Sequence, residues 1–242
     1  MIRLEVFLYF INSRPMSDLP IFCTDGKQCQ LEPKLDALAA EVEQLTDLVT
    51  KDTLTGLSNY RHFTNVVSQE MERSRRTGQP MTLIIIDADH FKKVNDNWGH
   101  EVGNHALKLI SSCIVQSIRQ LDIACRYGGE EFVVIFPSTD ITTSIRVAER
   151  IRAAIESTPL IIQLDDSDEP IKHTLTVSIG VSSFPAKIEN DDWHKLVERA
   201  DNKLYEAKLN GRNQVCYGKI ATESQQVSED EKSALFDIFN SG

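Results

Sequence analysis

The chain has 242 residues, 41% of them apolar, with 26 Lys plus Arg against 36 Asp plus Glu. That length and apolar content suit one ordinary domain with appendages, exclude a wholly disordered chain, and contain no apolar run of the ~18–20 residues that a membrane span needs. The formal charge of −10 argues at first sight against a polyanionic partner.

Residues 1–30 read as an irregular N-terminal extension. Its apolar opening, MIRLEVFLYFI, is broken by Arg3 and Glu5, is too short for a bilayer and lacks the charge order and cleavage site of a signal peptide. Met16 offers an alternative start. Cys23 and Cys29 form no CxxC pair, and the odd set of five scattered thiols reads as reduced cytoplasmic cysteine. From Leu31 the spacing becomes regular. Leu31, Leu35, Leu38, Val42, Leu45 and Val49 make an a/d heptad seam, which predicts a dimerising stalk helix over 31–50. The alternative is an amphipathic helix lying on its own domain.

The middle, residues 51–218, alternates helices and strands. Met81 to Ile86 is a short β-branched run, hence a buried strand ending at Asp87. Helical spacing covers Asn104 to Ile118. Apolar runs Ile123–Tyr127 and Phe132–Phe136 flank Gly128-Gly129, a hairpin signal. Ser138–Ile155 reads as a helix, Thr174–Ser183 as an alternating strand, and Trp193–Leu209 as a helix capped by Asn210-Gly211. This order predicts an α/β or α+β sandwich. Residues 219–242 read as an acidic polar tail.

The chemistry gathers at element ends. Asp87 and Asp89 follow the first strand's last apolar residue, where a rigid scaffold can hold carboxylates toward solvent. If the hairpin neighbours that strand, Asp87 and Glu130 converge into an oxygen-ligand site suited to Mg²⁺, with substrate phosphates completing the shell. A solvated loop is the alternative for Asp-x-Asp alone. Beyond it, Lys92 can meet a phosphate as a point charge, and Asn95 can hydrogen-bond a base edge.

Five motifs then occur in order: Asp52-x-Leu54-Thr55-Gly56-Leu57-x-Asn59; Asp87-Ala88-Asp89-His90-Phe91-Lys92-x-x-Asn95-Asp96; Gly99-His100-x-x-Gly103; Arg126-Tyr127-Gly128-Gly129-Glu130-Glu131-Phe132; and Arg199-Ala200-Asp201-x-x-Leu204-Tyr205-x-Ala207-Lys208-x-x-Gly211-Arg212-Asn213. Together they resemble the GGDEF family of diguanylate cyclases, in its GGEEF form, over roughly residues 48–218. The resemblance implies a nucleotidyl-cyclase-like palm, a central mostly antiparallel sheet flanked by helices, and a catalytic domain over 51–218. Two such domains would face each other and join two GTP into cyclic di-GMP, releasing pyrophosphate.

Carried over by position, the resemblance assigns Asp87, the Ala88 carbonyl and Glu130 to divalent metal (Mg²⁺ or Mn²⁺, two per site). Asn95 matches the guanine contact, Lys92, Lys208 and Arg212 match phosphate contacts, and Phe91 and Leu107 match the apolar wall near the base. Gly128 and Gly129 permit close backbone approach. Glu131 is a plausible base or metal partner, and the sequence does not choose between Glu130 and Glu131 for proton transfer. Arg119-Gln120-Leu121-Asp122 matches the family's RxxD product-inhibition site, with Arg146 and Arg150 as secondary arginines.

One position departs. The family usually has Gly-Asp where this chain has Gly103-Asn104, and that Asp reads the guanine edge. Asn offers one acceptor and turns a donor toward the base, so about 1–3 kcal/mol of recognition is at stake, with relaxed purine choice as a consequence. The alternatives are a mixed-purine cyclase and a GGDEF-like nucleotide receptor without catalysis. Expected partners are GTP, cyclic di-GMP, a second copy through 31–50, and a regulatory protein on the stalk or tail; neither nucleic acid nor membrane is expected.

The charge count sharpens accordingly. Residues 1–50, 160–192 and 217–242 carry net charges of −4, −5 and −3, leaving +2 for the remainder that holds every candidate nucleotide contact.

Overall fold

The computed structural model describes residues 32–163, 169–184 and 192–218. The chain divides into two units, 1–49 and 50–242. In the first, helix α1 (Glu32–Thr50) coincides with the predicted stalk, and Leu38, Val42 and Val49 of its seam are 57%, 56% and 53% exposed. Leu31, Cys23, Cys29 and the whole tail lie outside the described residues.

The second unit is a layered α+β domain. Its elements run α2 (Tyr60–Thr77), β1 (Met81–Ala88), α3 (Phe91–Ser117), β2 (Ile123–Gly128), β3 (Glu131–Phe136), α4 (Ile141–Ser157), β4 (Leu160–Ile162), β5 (Ile171–His173), β6 (Val177–Phe184), α5 (Trp193–Leu209) and β7 (Val215–Tyr217). Five strands form one sheet in the order β2-β3-β1-β6-β7, antiparallel except for the parallel β6–β7 pair, while β4 and β5 form a separate ribbon.

β1 is the middle strand and is buried at every position. Its side chains alternate between faces, as strand geometry requires. Ile84, Ile86 and Ala88 join Leu107, Ile110, Ile114, Ala148 and Ile151 in one core layer. Met81, Leu83 and Ile85 join Phe63, Val67, Leu196 and Leu204 in the other. Helices therefore cover both faces, α3 and α4 on one side and α2 and α5 on the other, as the resemblance implied.

Element limits shift in informative ways. β1 runs on through Asp87 and Ala88 because both remain in register with neighbours, Asp87 opposite Glu131 and Ser178. The helix expected from Asn104 begins at Phe91 instead and breaks at Gly99 (φ 82°, ψ 165°), a conformation costly for any residue with a Cβ. α4 starts at Ile141 rather than Ser138, since Asp140 caps it by accepting from Thr143 N–H. The strand expected from Thr174 begins at Val177.

α5 lies unusually close to β6. A Cβ on Gly180 would stand 2.1 Å from the Ala200 carbonyl oxygen and 2.3 Å from the Leu204 nitrogen. Ser182 Oγ adds a 2.7 Å hydrogen bond to the Leu196 carbonyl. Backbone cannot move aside as a flexible side chain can, so Gly180→Ala should destabilise the domain by about 2–3 kcal/mol through overpacking. Urea unfolding at pH 7 measures this, and an unchanged midpoint would show that α5 can lift without cost.

Candidate active site

The candidate site forms where β1 leaves the core. Asp87 and Asp89 stand two residues apart, yet their surroundings differ. Asp89 is turned inward: Oδ1 accepts from Ser178 Oγ at 2.7 Å, and Oδ2 accepts from Thr176 Oγ1 at 2.8 Å and from Asn213 N–H at 3.0 Å. Asp87, also buried, has an ion pair with Lys208, whose Nζ lies 2.9 Å from Oδ2. Burial pushes the Asp87 carboxyl up, the Glu130 and Asp89 charges push it further, and Lys208 opposes them without cancelling the rise. Burial likewise raises Glu131, with Asp87, Asp201 and Glu130 adding to it against Lys208. Crowded carboxylates with raised pKa values mark a place built to receive positive charge.

The β2–β3 hairpin closes this corner. Ala88 N–H donates to the Glu130 carbonyl at 3.3 Å, so Glu130 sits beside the strand end that carries Asp87 and the Ala88 carbonyl. Gly129 takes φ 48° at the turn, and the register shifts between Arg126 and Gly128. Arg126 fixes the tip by donating Nε and Nη2 to the Gly129 carbonyl at 3.0 and 2.8 Å. Its Nη1 reaches both Asp52 oxygens at 3.3 Å. Asp52 in turn accepts from Thr55 N–H and Oγ1 at 2.9 and 2.7 Å. The Asp52-x-Leu54-Thr55-Gly56 motif is therefore a brace for the hairpin tip, a role the sequence did not disclose.

A second group forms along the first turns of α3. Because the helix breaks at Gly99, Gly103 comes against Asn95: a Cβ there would stand 1.9 Å from Asn95 Oδ1 and 3.3 Å from Phe91 Cζ. Phe91 and Leu107 are buried, Asn95 is half-buried, and Lys92 and Asn104 are exposed. Lys208, at the end of α5, lies on the Asp87 side, and Arg212 stands exposed in the loop after that helix.

The RxxD turn is a separate place, after α3. Arg119 N–H donates to Asp122 Oδ2 at 2.8 Å, and Asp122 N–H returns to the Arg119 carbonyl at 3.0 Å. Arg150 donates to the Ser117 carbonyl, and its charge reaches Asp122. Burial raises the Asp122 carboxyl despite the Arg119 N–H and the two guanidinium groups. A cavity of about 410 Å³ opens there, with Lys51, His62, Arg119 and Asp122 in its wall. The structure thus gathers Arg119, Asp122 and Arg150, while Arg146 stands exposed one turn earlier on α4.

Residues 49–214 match the family model for the diguanylate cyclase GGDEF domain. The chain belongs to the GGDEF family. It is 36% identical over 218 residues to the response regulator PleD of Caulobacter vibrioides, covering 90% of this chain and 46% of PleD. Among solved structures it resembles the coiled coil and GGDEF domain of DgcB from Caulobacter crescentus in complex with c-di-GMP. That match has a TM-score of 0.69 and 29% identity, over 77% of this chain and 95% of the other. It also resembles diguanylate cyclase SiaD in complex with its activator SiaC from Pseudomonas aeruginosa, with a TM-score of 0.66 and 30% identity, over 78% and 69% of the two chains. The chain spans less than half the length of curated relatives such as PleD.

Within this GGDEF domain no three His, Cys, Asp or Glu side chains form a metal cluster among the described residues. Asp87, Glu130 and a main-chain carbonyl still suit a hard cation that takes its remaining oxygens from water and phosphate. Burial pushes the Cys125 thiol up to about 12, with the Asp52 charge adding to it.

The Arg126 brace is testable. Burial pushes the Asp52 carboxyl up, but donation from Thr55 and the Arg126 charge outweigh it and hold the group below its ordinary value. A depressed folded pKa stabilises the protein above the unfolded value of about 3.9 and loses that contribution as pH falls through the folded one. Arg126→Met should cost about 1–3 kcal/mol at pH 7 and distinctly less at pH 3. Urea unfolding at the two pH values checks this; equal losses would mean that the ion pair contributes nothing.

Proposed function

We propose that this protein is a diguanylate cyclase that condenses two GTP into cyclic di-GMP and releases pyrophosphate. The observation that carries the reading is the convergence of Asp87, Ala88 and Glu130 at one strand end, with Lys208 on the Asp87 carboxylate. The reaction is attack of one nucleotide's 3′-hydroxyl on the other's α-phosphorus, so the protein's task is positioning and charge stabilisation.

Asp87, the Ala88 carbonyl and Glu130 would hold divalent metal, Mg²⁺ or Mn²⁺, two ions per site. When bound, these ions lower the pKa of the attacking hydroxyl and offset charge on the phosphate oxygens. Phe91 and Leu107 form the wall against the base, and Asn95 reads its edge. Asn104 stands beside it where a carboxylate would accept from two guanine N–H groups. Lys92, Lys208 and Arg212 contact phosphates, and Gly128 and Gly129 let nucleotide or facing chain approach the hairpin backbone. Glu130 or Glu131 takes the hydroxyl proton.

Each catalytic domain, residues 51–218, holds one GTP, so two domains must meet. The exposed Leu38, Val42 and Val49 of α1 support pairing through residues 31–50, as does the coiled coil that accompanies the GGDEF domain of DgcB. Product feedback would act at Arg119, Asp122 and Arg150, with Arg146 nearby. SiaD's complex with an activator supports a regulatory protein on the stalk or tail. No described helix is long and apolar enough to cross a membrane; the need for GTP supports a cytoplasmic location.

Incubation with GTP and Mg²⁺, with products identified by mass spectrometry, should yield cyclic di-GMP and pyrophosphate. Glu130→Ala should lower the rate by about 10²-fold or more. Nucleotide binding without turnover would instead establish a receptor. Residues 51–218 alone should show sharply lower specific activity at low protein concentration; equal activity would remove the stalk from the mechanism.

A further inference from the structure

The loop after α5 holds an unusual backbone. Gly211, Arg212 and Asn213 occupy the left-handed region in succession, with φ of 106°, 63° and 46°. L side chains adopt that conformation only where their surroundings hold them to it. Asn213 is held from three directions: its side chain donates to Glu156 Oε1 at 2.7 Å and accepts from Arg152 Nη1 at 2.9 Å, and its N–H donates to Asp89 Oδ2 at 3.0 Å. The third bond ties the loop to the strand end that carries Asp87.

We propose that Asp89 is a positioning residue that presents Arg212 to the nucleotide triphosphate by anchoring Asn213. The inference rests on reading Arg212 as a phosphate contact. Asp89 is 7% exposed, and its three partners are two hydroxyls and one backbone amide. The hydroxyls of Thr176 and Ser178 can rotate to donate or accept, so they would tolerate an amide in place of the carboxylate. The Asn213 N–H can only donate, and it requires an acceptor at Oδ2. A charge-assisted bond there is shorter and stronger than a neutral one, which suits a strained backbone that must hold still. Asp87 and Asp89 thereby divide the work, one at the metal site and one behind the phosphate-binding loop.

The test uses the full chain and compares two nucleotides in the presence of Mg²⁺: 3′-deoxy-GTP, which lacks the attacking hydroxyl and cannot condense, and GMP. The readout is the ratio of their affinities by calorimetry. Asp89→Ala should lower this ratio about tenfold and leave GMP affinity within about twofold. Asp89→Asn, which keeps an acceptor for Asn213, should restore the ratio to within about twofold. If Asp89→Ala does not fold, Asp89→Leu combined with Thr176→Val and Ser178→Ala removes the other buried donors and leaves only the Asn213 anchor broken.

In an Arg212→Ala background, loss of Asp89 should lower the ratio no further. Parallel loss of both nucleotides, or an unchanged ratio in the Asp89 variants while Arg212→Ala lowers it, would overturn the role of Asp89 and spare that of Arg212. An unchanged ratio in Arg212→Ala itself would overturn both.

Discussion

The central strand of the sheet ends in two carboxylates, and the arrangement around it answers the cost of burying them. A carboxylate taken from water needs donors or a cation, because desolvation otherwise exceeds what packing returns. Asp89 is satisfied internally, by the hydroxyls of Thr176 and Ser178 at the start of β6 and by the loop beyond α5. Asp87 is paired with one lysine from the end of α5. That difference separates two roles: the group satisfied by hydroxyls and a backbone amide fixes the corner, and the group paired with a single lysine is the one that the proposed reading gives to an incoming cation. The close fit of α5 on Gly180 sets where that lysine can stand, so a glycine in β6 helps to define the site.

The hairpin obeys a related constraint. Two glycines at a tip give backbone freedom, and freedom must be removed where a carboxylate has to be held in register. Arg126 removes it by spanning from the Gly129 carbonyl to Asp52, itself locked by Thr55. Motifs far apart in the chain are thus parts of one brace, and the segment after Asp52 also bridges the edge of β2 at Ser58 and Cys125.

Much of this was legible in the sequence, and the failures have physical reasons. β1, the Gly128-Gly129 hairpin and α5 carried strong local signals, and their limits moved by only a residue or two. α2 escaped notice because Phe63, Val67, Met71 and Ser74, with Val66 partly buried beside them, form a narrow core face on a helix that is mostly polar, although Asn59 and Gly78 were both recognisable caps. β7 is three residues long and exists through parallel pairing with β6, which no local pattern encodes. The helix was expected to begin at Asn104 because regular helical spacing of apolar residues starts there, beyond Gly99 and Gly103. In fact the chain is helical on both sides of it, and the break is what brings Asn95 to Gly103. The spacing of motifs named the candidate residues of the site; it did not disclose the hydrogen bonds by which Asp52, Arg126 and Asp89 tie the hairpin tip and the loop after α5 to the strand end.

Charge gave the most misleading first impression. A net −10 suggests repulsion of a nucleoside triphosphate, but the excess lies in residues 1–50, 160–192 and 217–242, apart from every candidate nucleotide contact, and the remainder is slightly positive. Within the site the sign is mixed by design. Asp87, Glu130 and Glu131 would repel a bare triphosphate, whereas Lys208 and Arg212 would attract it. A site of that composition favours a nucleotide that arrives with its charge partly neutralised by a divalent ion, since each carboxylate then gains a partner as each phosphate does. The same carboxylates that oppose the free anion become attractive to its metal complex, and the selectivity follows from electrostatics at the strand end, independent of the total charge of the chain.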